Sequence, residues 1–88
     1  MISAFTTDGR IAADDLRLLV DERQVIPPYD AMVLARQTLV EERPEVVAAI
    51  RELVGRIDQQ TMQRLNRSVD QDKETPTRVA ARYLETWP

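Results

Sequence analysis

Gly55-Arg56-Ile57-Asp58-Gln59-Gln60-Thr61-Met62-Gln63-Arg64-Leu65-Asn66-Arg67-Ser68-Val69-Asp70 is the stretch on which the fold of this 88-residue chain turns. Asp58 stands where an N-cap is wanted, with a side-chain oxygen to accept one of the orphan N–H groups of a helix start. Ile57 before it and Met62 after it occupy the two positions of a hydrophobic staple. Met62, Leu65 and Val69 then recur at three- and four-residue steps, which marks one apolar helix face. Gly55 suits a left-handed stop to whatever helix precedes it.

The same periodicity extends in both directions over 37–88. Upstream, Pro44 sits at the first position of a helix, with Glu45 adding favourable charge at that end. Val46, Val47, Ile50, Leu53 and Val54 give that helix a buried face. Ahead of it, Thr38 followed by Glu41 fits a capping box for a short helix. Downstream, Thr75-Pro76 repeats the cap-plus-proline start, and Val79, Ala80, Tyr83, Leu84 and Trp87 form the last apolar face.

Residues 1–36 read differently. Residues 2–6 form a short β-capable stretch ended by the turn dipeptide Asp8-Gly9. Leu16, Leu18 and Val20 alternate with Arg17, Leu19 and Asp21, as in a strand. Pro27-Pro28 imposes an extended connection, and residues 31–35 are a third apolar run expected to be a strand. The expected class is therefore an α/β fragment rich in helix, with two or three short strands followed by three to four α-helices.

Composition narrows the chemistry. Hydrophobic residues at 43% and charged residues at 31% are those of a globular chain. Lys+Arg number 12 against 15 Asp+Glu, so the net charge of −3 disfavours nucleic acid as a partner. With no cysteine and no histidine, thiolate metal sites, disulfides and the commonest general base are excluded. Asp14-Asp15, Glu41-Glu42 and Asp70 with Asp72 lack the offsets of a calcium loop and read as solvated charge, so no metal site is expected. No serine or threonine has an activating base nearby, and no phosphate loop is present. The expectation is a protein that is not an enzyme and needs no cofactor. No apolar window is long enough to span a membrane, and the N-terminus lacks a signal-peptide pattern.

Phe5 and Tyr29 each flank a turn, one before Asp8-Gly9 and the other after the double proline. Isolated aromatics at such places pack a strand end or a corner, or they present a ring face to a ligand. Phe5-Thr6-Thr7-Asp8-Gly9-Arg10-Ile11 and Ile26-Pro27-Pro28-Tyr29-Asp30-Ala31 resemble the C-terminal part of the osmoprotectant-binding proteins. So do Gly55-Arg56-Ile57-Asp58, Met62-Gln63-Arg64-Leu65-Asn66, Val69-Asp70, Pro76 and Val79-Ala80, in that order. These proteins are the substrate-binding components of ABC importers for glycine betaine, choline and carnitine.

The resemblance implies a portion of a two-lobed type II periplasmic binding protein much longer than this chain. Residues 1–26 would be the tail of the second lobe with the crossing strand, and 27–88 the C-terminal helical part of the first. It further implies an aromatic cage for a quaternary ammonium, with Phe5 and Tyr29 as two of its walls and Thr7 and Asp8 beside the cleft. Family members commonly carry Tyr where this chain has Phe5, so the ring face is kept and the hydroxyl is lost. A turn-building role for Asp8 is an equal expectation. The complete protein would work with a membrane permease, outside the cytoplasm. Alone, this chain is expected to bind weakly or not at all, and to form a homodimer through its uncovered apolar surface. The alternative is a stand-alone helical interaction module that docks through Val46 to Val54 and Val79 to Trp87.

Overall fold

The computed structural model describes residues 1–87; Pro88, the end of the expected first-lobe portion, lies outside them. Among the described residues five helices follow one another: α1 (Gly9–Ala13), α2 (Gln37–Glu42), α3 (Pro44–Arg51), α4 (Gln59–Asp70) and α5 (Pro76–Glu85). They belong to two units, one of residues 1–18 with 57–88 and the other of 19–56.

In the first unit α1 and α5 both pack on α4. Helix α4 begins as its sequence dictates: the Thr61 N–H donates to Asp58 Oδ1 at 2.7 Å, and the carboxyl is held below its usual range by the Thr61 hydroxyl and N–H. Ile57 and Met62 of the staple are half-buried, as are Leu65 and Val69. Helix α5 starts on Thr75, whose hydroxyl accepts from the Arg78 N–H at 3.4 Å, with Pro76 in the first turn. Its face is anchored by Val79, only 3% exposed, and closed by Tyr83 and Trp87, edge to face with ring centres 5.7 Å apart. Glu74, in the α4–α5 connection, takes both guanidinium nitrogens of Arg82 at 2.7 and 2.9 Å, which ties the connection to α5.

In the second unit Pro44 opens α3 as expected, and Glu45 pairs with Arg43 across the α2–α3 junction. Val46, Val47 and Ile50 are half-buried, but α3 ends at Arg51, so Leu53 and Val54 fall in the following turns and are exposed. Gly55 does adopt the left-handed conformation, with φ of 76°.

Three expectations need correction. Among the described residues there is no strand: residues 2–6, 16–20 and 31–35 lack regular structure apart from the turn at Thr6, and most of their apolar side chains are exposed. A helix makes its own hydrogen bonds, whereas a strand forms only when a second strand supplies the ladder. Thr38 is not a cap, since α2 starts one residue earlier at Gln37. The Gln37 amide instead donates to Glu41 Oε1 at 2.8 Å, an i,i+4 pair that occupies the carboxylate a capping box would use. Asp8-Gly9 is not a strand-ending turn but the start of α1.

Candidate functional site

Residues 5–8 make a tight turn, closed by a hydrogen bond from the Asp8 N–H to the Phe5 carbonyl at 3.0 Å, and they run straight into α1. Asp8 caps that helix. Its Oδ1 accepts from the Arg10 N–H at 2.9 Å and from Nε at 3.1 Å, while Oδ2 accepts from the terminal guanidinium nitrogen at 2.7 Å. The side-chain and backbone hydrogen bonds from Arg10 hold the Asp8 carboxyl down at about 2. The turn-building role is thus realised in full, with each carboxylate oxygen already occupied.

Because this value lies below the ordinary 3.8, the folded chain binds fewer protons at Asp8 than the unfolded chain. Its contribution to stability is therefore complete above the ordinary carboxylate range and lost as pH falls through about 2. A carbon-detected NMR titration of the Asp8 carboxyl is expected to give a midpoint near 2; one near 3.8 would mean that Arg10 does not hold it in solution.

Helix α4 grips the turn from beneath. Gln63 Nε2 donates to the Thr6 carbonyl at 2.6 Å, and Asn66 Nδ2 donates to the Thr7 carbonyl at 2.7 Å. Gly9 makes the close approach possible. A β-carbon there would lie 2.6 Å from the Arg67 backbone nitrogen and 2.8 Å from the Asn66 carbonyl carbon. Gln63 and Asn66 lie in a stretch that carries the family resemblance, but the sequence gives neither a role of its own, since each is a polar residue one place beyond an apolar one. Gln63 is nonetheless buried, which nothing in helical periodicity announces.

Of the four residues expected at a ligand site, Phe5, Thr7 and Asp8 are brought together in this turn. Phe5 is 67% exposed, and Thr7 is half-buried. Tyr29 belongs to the other unit and is 86% exposed. An open hollow on the first unit, lined by Ile11, Leu16, Leu18, Gln59, Gln60 and Gln63 among others, includes none of the four. Among the described residues no cluster of acidic side chains has the makings of a metal site, and no helix is long and apolar enough to cross a membrane.

A family model described as the substrate binding domain of the ABC-type glycine betaine transport system matches residues 1–86. The chain belongs to this family, OpuAC. Within it, the chain is 38% identical over 81 residues to the carnitine transport binding protein OpuCC of Listeria monocytogenes, covering 92% of this chain and 26% of that protein. It is 39% identical over 79 residues to a glycine-betaine-binding protein of Pseudomonas aeruginosa, covering 90% and 25% of the two chains. It is 34% identical over 84 residues to the ergothioneine transport permease/ergothioneine binding protein EgtU of Helicobacter pylori, covering 96% of this chain and 15% of that one. The chain thus spans about a quarter or less of the length of these relatives. No solved structure matches it significantly. The OpuAC match confirms the resemblance carried by the turn over residues 5–11 and by α4, and the family's named work is binding for transport rather than catalysis.

Proposed function

We propose that this chain is part of the substrate-binding component of an ABC importer for quaternary-ammonium solutes such as glycine betaine, choline or carnitine. The observation that carries the reading is the family match across residues 1–86. Relatives named for carnitine, glycine betaine and ergothioneine support it, because those three compounds share a trimethylammonium group. That group has no hydrogen-bond donor, so aromatic ring faces are its natural partners.

Phe5 and Tyr29 serve as two walls of the cage, with Thr7 and Asp8 at its edge. Residues 1–26 form the tail of a second lobe with the crossing strand, and 27–88 the helical end of the first, within a two-lobed α/β protein. The complete protein works outside the cytoplasm and delivers solute to a membrane permease. The alternative of a stand-alone helical docking module keeps only part of its α5 surface, since Val79 is buried while Leu84 is exposed.

Two exposed rings hold a cation only weakly, at about 0.5–1 kcal/mol each. A ¹⁵N–¹H NMR titration of the chain with glycine betaine, carnitine and choline is therefore expected to saturate only in the millimolar range or above. Selective shifts at Phe5, Thr7 and Tyr29 would support the site. A dispersed spectrum that ignores all three solutes would overturn the site in this chain.

We infer also that the chain alone associates with itself. Leu19, Val20, Val25, Ile26, Met32 and Leu34 are all exposed, and large exposed apolar patches drive association. Light scattering at high concentration is expected to return a dimer mass; the mass of a monomer would refute it.

A further inference from the structure

Two amides on one face of α4 each reach across the fold to a main-chain carbonyl of the turn that carries Phe5 and Thr7. Gln63 and Asn66 are three residues apart, so they project side by side from the helix. Their acceptors, the carbonyls of Thr6 and Thr7, are likewise consecutive. Within the turn, the Asp8 N–H closes on the Phe5 carbonyl, and the two carbonyls that follow it are the ones α4 takes. Gln63 is only 8% exposed, so its amide works largely away from competing water. The absence of a β-carbon at Gly9 seats α1 on the α4 backbone beside the two amides.

We propose that Gln63 and Asn66 are positioning residues for solute recognition: their amide donors fix the turn over residues 5–8 in the conformation that presents Phe5 and Thr7 to the ligand. The assignment rests on the cage reading given above for Phe5. Neither amide touches the solute. Each acts through a carbonyl, so its loss loosens the presentation of the ring and not the ring itself.

The test replaces donor by acceptor without changing shape. In Gln63→Glu and Asn66→Asp an ionised carboxylate oxygen faces the Thr6 or Thr7 carbonyl oxygen, which turns attraction into repulsion. Each variant is titrated with glycine betaine by ¹⁵N–¹H NMR alongside the unaltered chain, with helix content followed by circular dichroism. The expected result is native helix content, displaced signals for residues 5–8 before any ligand is added, and an affinity lowered about tenfold. Gln63→Met and Asn66→Leu, which remove the donor without adding charge, replace the charged pair if the latter unfold.

Folded variants that bind glycine betaine as the unaltered chain does would overturn the assignment while leaving the cage intact. So would folded variants whose turn signals stay in place. If both pairs of variants unfold, the amides support the fold as a whole and the assignment falls. If the unaltered chain itself fails to respond to glycine betaine, the cage reading fails first and takes the assignment with it.

Discussion

Gly9→Ala is expected to destabilise the chain by about 2 kcal/mol net, seen as a lower urea midpoint. The added methyl would meet Arg67 N at 2.6 Å, with Arg67 Cα and the Asn66 carbonyl carbon each at 2.8 Å. All three are main-chain atoms inside α4, so no side chain can swing aside to make room. Overpacking of this kind costs about 1–3 kcal/mol, and contact with helical backbone belongs at the upper end. Alanine offers an opposing gain of up to about 1 kcal/mol in helix preference, which is smaller than the clash. The same variant is expected to shift the amide signals of residues 5–8, because α1 and the turn move together when α1 is pushed from α4. An unchanged midpoint would show that the two helices separate freely, and that the close approach contributes little.

Ile11→Ala has an expected effect of about 2–3 kcal/mol, again in the unfolding midpoint. Ile11 is 7% exposed and, with Val79, is one of two buried apolar side chains among the described residues. Truncating a buried aliphatic chain to alanine removes transfer free energy and leaves a cavity, for about 2–5 kcal/mol in well-packed proteins. The lower part of that range applies here, since a sparse core can relax around the gap. Leu34→Ala, measured at a dilution where the chain is monomeric, is the natural control. Leu34 is exposed and outside any helix, so its truncation should move the midpoint by less than about 0.5 kcal/mol. Equal effects at positions 11 and 34 would mean that the apolar run over 31–35 is covered in solution.

What the sequence disclosed and what it concealed follow from the range of the forces involved. Asp58, Thr75, Pro44 and Pro76 were readable as helix starts because capping is settled within four residues of the chain. The stripe of Met62, Leu65 and Val69 was readable because a helix repeats its own geometry. The strands were misread for the opposite reason. Alternation at 16–21 states that a strand would have two faces, but not that a neighbouring strand exists to pair with it. Helix α1 was hidden because Asp8-Gly9 serves a turn and a helix start equally well in isolation. The choice is made by Arg10, whose guanidinium and N–H both claim the Asp8 carboxylate, and by the α4 backbone fifty-odd residues away. The candidate site residues Phe5, Thr7, Asp8 and Tyr29 are suggested as a ligand site by resemblance to a family. The role of Gln63 and Asn66 is not legible in the sequence, because a buried amide is intelligible only once its carbonyl partner is known.

That partner is main chain in both cases, and this has a consequence for how such a site can change. The two amides read the path of the polypeptide through residues 6 and 7, and take no account of which side chains hang from it. Phe5 and Thr6 are exposed and Thr7 is half-buried, so the surface of the turn can be rewritten while its shape is kept. Shape and chemistry are inherited separately here. On the proposed cage reading, a lineage, or a designer building a sensor, can shuffle the side chains at 5, 6 and 7 to suit a new solute without having to refold the loop that displays them.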